Sequence, residues 1–201
     1  MTDSDRIQAI LHYWFDELDA LGMCQQAQNK LWFQSRQETD REIEQRFGAD
    51  VKQALAGDLN HWVDKKDGLI ALVILLDQFT RNIYRGTPAA FSGDRQALVL
   101  AETAVAGGAD RRIATIHRVF LYIPYEHAED LATQEAGIGC FDRLLENCHP
   151  DAGERVSGFR DYSVAHRDVI TRFGRFPHRN AILGRDSTGE ELAHLEQHGG
   201  F

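Results

Sequence analysis

No stretch of this 201-residue chain stays apolar long enough to cross a bilayer. The longest run, Leu69 to Leu76, falls far short of the roughly 20 residues that a spanning helix needs. Cysteine is scarce as well, with only Cys24, Cys140 and Cys148. The count is odd, no C-x-x-C occurs, and Cys140 and Cys148 are too far apart along one helix to bridge. A disulfide framework is therefore excluded, and reduced thiols in a cytoplasmic protein are expected. The opening Met1-Thr2-Asp3-Ser4-Asp5 is acidic and has no apolar centre, so no signal peptide is expected. Positive charge is in deficit: 22 Lys and Arg stand against 31 Asp and Glu, a net charge of -9. That balance argues against nucleic-acid or anionic-membrane partners, though it leaves room for a local cationic pocket.

Other absences narrow the chemistry. The chain has no G-x-S-x-G, H-E-x-x-H, P-loop or G-x-G-x-x-G. Its histidines do not fall at metal-ligand spacing, so neither a metal nor a cofactor is expected. Strand-like alternation is essentially missing. With no long Pro, Ser or Gly linker, residues 1–201 read as one domain.

Helical periodicity fills most of the chain. Ile7, Ile10, Leu11, Trp14, Phe15 and Leu18 predict a helix from Asp3 to Leu18, capped by Ser4 or Asp3. A second runs from Thr39 to Leu55 with a break at Gly48. Gly68 to Tyr84 begins apolar on every side and is expected to be the central buried helix. Further helices are predicted from Gly93 to Ala106 (capped by Ser92), Ile113 to Ile123 (ended by Pro124), Tyr125 to Cys148 and Glu154 to Phe173. Thr188 to Glu191 is a capping-box pattern opening a last short helix. The fold class is all-α, about eight or nine antiparallel helices.

Three stretches carry polar side chains that a core helix or plain loop has little use for. Asp77, Gln78, Arg81, Asn82 and Arg85 cluster on two adjacent faces of the central helix. Arginine forks suit carboxylate or phosphate recognition. Pairing of Asp77 with Arg81 accounts for the same residues without a ligand. Glu126, His127, Glu129 and Asp130 follow Pro124; His127 can serve as acid, base or donor. Glu126 and Asp130 are expected on one face, and Glu129 in a helical first turn. From His166 to Arg185 the chain sets Arg167, Arg172, Arg175, Arg179 and Arg185 against one acid, Asp168. His178 and Asn180 flank Arg179. The tail then carries Asp186, Glu190, Glu191 and Glu196 and no Lys or Arg, so the same arginines also suit an internal clamp on the tail.

The blocks Leu75-Leu76-Asp77-Gln78-Phe79-Thr80-Arg81-Asn82-Ile83-Tyr84-Arg85-Gly86-Thr87, Phe120 to Asp130, and Arg172-Phe173-Gly174-Arg175-Phe176-Pro177-His178-Arg179-Asn180 resemble the signatures of a bacterial family, domain of unknown function 924. Tyr13-Trp14-Phe15, Trp32-Phe33 and the closing Gly200-Phe201 fit the same pattern. The resemblance implies a tetratricopeptide-like helical fold and supplies no activity.

Three functions compete. One is a binding module whose pocket takes an anionic small molecule or a peptide carboxylate through Arg81, Arg85, Arg175 and Arg179, with Asn82 and Asn180 giving direction and Trp14, Trp32 or Trp62 a flat wall. The second is a hydrolase- or lyase-type enzyme on a phosphorylated or carboxylated metabolite. There His127 or His178 is the general acid or base, with Glu126 or Asp77 orienting it and His166 nearby. The third is a scaffold with internal salt bridges. Oligomeric state is not legible.

Overall fold

One helix, buried on every side, organises the chain. We describe it from a computed structural model covering residues 1–34 and 36–200, with Lys66 described by its backbone alone. Phe201, part of the family pattern, lies outside these residues. The central helix, α4, has three contiguous parts: Lys66–Val73, Ile74–Phe79 and Thr80–Ile83. Every side chain from Leu69 to Asp77 is buried, as expected of a segment that is apolar all round. The middle part is a π-helix, where periodicity predicts continuous α-helix. Just beyond it, the Thr80 hydroxyl and the Arg81 guanidinium donate to the carbonyls of Leu76 and Asp77, each at 2.7 Å.

Four of the other helices pack directly on this one. In chain order the other helices are α1 (Asp3–Phe15), α2 (Asn29–Phe33), α3 (Gln37–Ala56), α5 (Asp94–Ala106), α6 (Thr115–Glu126), α7 (Leu131–Asn147), α8 (Pro150–Phe173) and α9 (Gly189–His198). Helices α1, α3, α5 and α6 pack on α4; α7 packs on α6, and α8 on both α6 and α7. Among the described residues there is no strand, only an isolated bridge between Leu18 and Cys24. No helix among them is long and apolar enough to cross a membrane. The fold is all-α.

Several boundaries differ from those the sequence predicts. Helix α1 stops at Phe15, because Asp16 turns the chain with φ 57, and its cap is Thr2 in a capping box with Asp5. Helix α3 runs through Gly48 and ends on Gly57 in the left-handed conformation. Ser92 does not cap α5; its hydroxyl donates to the Ala89 carbonyl. Gly93 takes that position instead. An ideal Cβ there would lie 2.1 Å from the Leu76 carbonyl oxygen, so only glycine lets α5 begin against α4.

The largest correction concerns Tyr125 to Cys148. Helix α6 continues through Pro124 to Glu126, with Val119 to Glu126 all buried, so packing outweighs the proline penalty. Residues 127–130 form a turn, and Asp130 caps α7 by accepting from the Thr133 N–H. Glu126 and Asp130 therefore share no helix face. Glu129 sits in no first turn; it accepts from the Phe176 N–H at 2.7 Å and from Arg185 at 2.6 Å. Helix α8 starts at Pro150, with His149 as its cap, four residues before the expected Glu154.

Candidate functional site

The π segment carries Asp77 at its inner face, fully buried. Three side chains converge on its carboxylate. His127 Nδ1 lies 2.7 Å from Oδ1, Gln78 Nε2 donates to Oδ2 at 2.6 Å, and Arg81 Nη1 is 3.3 Å from Oδ1. Burial alone would raise the Asp77 carboxyl; the facing His127, the charge of Arg81 and these hydrogen bonds outweigh it and hold the group below the usual carboxylate range. His127 moves down from its ordinary value, through burial and then repulsion from Arg81, with Asp77 opposing. A neutral ring facing an ionised carboxylate must carry its proton on Nδ1. That leaves the lone pair on Nε2, on the side away from Asp77.

Arg81 extends this network. Its fork donates to both oxygens of Asp94, at 2.8 and 3.0 Å. Asp94 is the first residue of α5, and the glycine before it is what brings it to α4. Next to His127, Glu126 is buried at the end of α6. Burial, then the nearby Asp77 charge, push its carboxyl well above the usual range, and Arg81 offsets this only in part. Two carboxyl groups of one site are thus driven apart, Asp77 downward and Glu126 upward. Gln134 fixes the turn between them and α7, its amide donating to the carbonyls of Glu126 and Ala128 at 2.6 and 2.8 Å.

The third wall is the turn Pro177–Arg179 after α8. Arg179 is buried, its side chain 8% exposed. Its guanidinium lies between the rings of Phe91 and Phe176, at 4.7 and 4.5 Å. Its nearest carboxylate, Asp94, is 3.6 Å away and already held by Arg81, and its Nε has no hydrogen-bond partner. Burial, then repulsion from Arg81, lower the group to about 10. Burial likewise lowers His166 to about 3 and His178 to about 4. Both imidazoles are neutral near pH 7.

These elements enclose an open cleft of about 440 Å³. Of the residues singled out in the sequence, Gln78, Arg81, Asn82, Arg85, Glu126, His127, His166, His178 and Arg179 line it, and Asp77 stands behind His127. Arg85 and Asn82 are held by Asp40 of α3, at 2.7 Å and 2.8 Å. Arg175 and Asn180 lie elsewhere. Arg175 forks onto Glu191 of α9 at 2.7 and 2.9 Å, and Asn180 donates to Ser187. Together with the pair of Arg172 and Glu190, these contacts form the clamp on the acidic tail. Trp14 and Trp62 are core residues, whereas Trp32 reaches the cleft. Sequence reasoning missed Asp40, Asp94, Phe91 and Tyr162. Asp94 had one signal, its place after Gly93 at a helix start. Among the described residues no group of three or more His, Cys, Asp or Glu is arranged to hold a metal ion.

The fold and this cleft define an all-helical protein with a buried Asp–His–Arg network at the end of its central helix. Residues 10–199 match the model of a family described as bacterial protein of unknown function (DUF924), and the chain belongs to that family. A solved structure, a protein of unknown function from Agrobacterium tumefaciens (ATU0120), is similar throughout: 31% identity, a TM-score of 0.81, and coverage of 98% of this chain and 99% of that one. No curated protein matches the chain.

Proposed function

We propose that the cleft binds an anionic small molecule and that Arg179 is its anchor. The observation that carries this is the state of the Arg179 guanidinium: buried, with the Phe91 and Phe176 rings at 4.7 and 4.5 Å, Nε unpartnered, and the Asp94 carboxylate at 3.6 Å shared with Arg81. A buried cation is costly until its donors are met. A carboxylate or phosphate oxygen entering the cleft would meet them with charge-assisted hydrogen bonds.

A second reading, an enzyme of hydrolase or lyase type, is favoured by the opposed states of Asp77 and Glu126. His127, held by Asp77, would accept a proton at Nε2. Protonated Glu126 would donate one to a departing group, and Arg81 and Arg179 would take up developing negative charge.

A thermal-shift panel of carboxylates and phosphates on wild type, Arg179→Gln and Glu126→Gln tests both. The binding reading expects a ligand that raises the wild-type Tm and leaves Arg179→Gln unmoved, because stabilisation follows affinity for the folded state. The enzyme reading expects Glu126→Gln to keep the shift and lose turnover. If no anion moves wild type and Arg179→Gln behaves identically, the binding reading fails.

A further inference from the structure

Helices α6 and α8, separated in sequence by α7, pack against each other, and both line the cleft. Both change character along it in the same order. On α6 the cleft meets Phe120, then Ile123, then Glu126. On α8 Phe159 packs against Trp32 at 6.4 Å, and one to two turns later Tyr162 and His166 line the polar end. Helix α2 closes the apolar end, where Trp32 meets Phe120 at 4.6 Å and Phe33 stands 56% exposed at the rim. The opposite end holds Arg179. From Phe120 to Glu126 the path is roughly 9 Å, at 1.5 Å of helix rise per residue.

We propose that the occupant is an amphipathic monocarboxylate, its carboxylate on Arg179 and its hydrocarbon or aryl body against Trp32, Phe33 and Phe120. This rests on the anion reading of the same cleft and adds the class of ligand. Charge favours one negative charge over two. Arg81 and Arg179 are already faced by Asp77 and Asp94, while burial holds the Glu126 carboxyl up and the three histidines down. The two cations and the two carboxylates already balance, so each negative charge brought into this half-buried site has a cost, and a phosphate dianion brings two where a carboxylate brings one. Shape favours a tail, because a small polar anion would leave the aromatic end wet.

Isothermal titration with straight-chain carboxylates from acetate upward tests this, with octyl phosphate, octanol and a peptide ending in leucine as comparators. Affinity should rise by up to about fourfold per methylene and level off at about eight carbons, where the cleft ends. Trp32→Ala should flatten that rise; Phe33→Ser, at the exposed rim, serves if Trp32→Ala does not fold. Arg179→Gln should weaken every acid by a similar factor. Equal affinity for acetate and octanoate overturns the amphipathic proposal while leaving the anion reading standing. Tighter binding of octyl phosphate or of the peptide also overturns it. Octanol binding as well as octanoate, or no binding of either the acids or octyl phosphate, removes the anion reading itself.

Discussion

His127 Nδ1 and Asp77 Oδ1 are 2.7 Å apart, the carboxylate fully buried and the imidazole at the cleft wall. The two come from α4 and from the turn after α6, 50 residues apart in sequence. This contact fixes which ring nitrogen holds the proton, and thereby what the cleft can do.

Replacing Asp77 with Asn keeps the shape and removes the charge. Arg81 keeps Asp94, so the cost should be partial, about 2–3 kcal/mol, toward the low end for breaking a buried pair. The tautomer preference of His127 should be lost along with it. Urea unfolding gives the first quantity, and nitrogen chemical shifts of the imidazole give the second. An unchanged His127 spectrum would contradict the assignment.

Stability should rise with pH between about 4.5 and 6.5. His127, His166 and His178 are lowered in the folded state, so below their unfolded value near 6.5 the unfolded chain binds protons that the folded one refuses. Their contribution is present above that value and is lost on acidification. Glu126 is raised and acts the other way: its contribution is full below about 4.5 and is lost as pH rises toward its folded value. Three groups against one leave a net slope of about 1–3 kcal/mol per pH unit. Urea midpoints across this range check it, and His166→Asn should reduce the slope.

Gly93 and Gly158 should respond to alanine with opposite signs. At Gly93 the new methyl meets the Leu76 carbonyl oxygen, and α5 must shift at a cost of about 1–3 kcal/mol. At Gly158, inside α8, nothing lies within 4 Å, so alanine should add up to about 1 kcal/mol through helix propensity. Thermal melts of the two variants suffice.

Glu191→Ala should free the last helix. That carboxylate accepts both arms of the Arg175 fork and the Thr188 N–H at 2.7 Å. Limited proteolysis should then cut within 189–198 while the rest of the chain stays resistant. Resistance equal to wild type would show that the clamp is dispensable.

The existence of most helices was legible because their apolar residues recur at helical spacing, whereas the caps of α1 and α5 were not the ones expected. What escaped was set by distant packing. Pro124 reads as a stop, but eight consecutive buried residues around it, Val119 to Glu126, carry α6 on to Glu126. That shift moved His127 out of a helix and into the turn where it meets Asp77. The polar residues themselves stood out, since arginine and asparagine on a buried helix need partners. Which partners they take was hidden, because Asp40 and Asp94 lie 42 and 13 residues from the side chains they bind. No residue pattern marked the π segment.

That segment makes α4 two helices out of register with each other. One additional residue in a turn advances everything after it by about 100° around the axis. Read as a regular helix, the apolar stripe of Leu69 to Leu76 would continue in one phase through Arg85. The slip lets a single rod be dry over its first half and turn a guanidinium toward the cleft in its second. Deleting one residue between Ile74 and Leu76 would take out the slip together with the residue, so Arg81 would keep its bearing toward Asp94, whereas regular winding with every residue in place would turn it about 100° away.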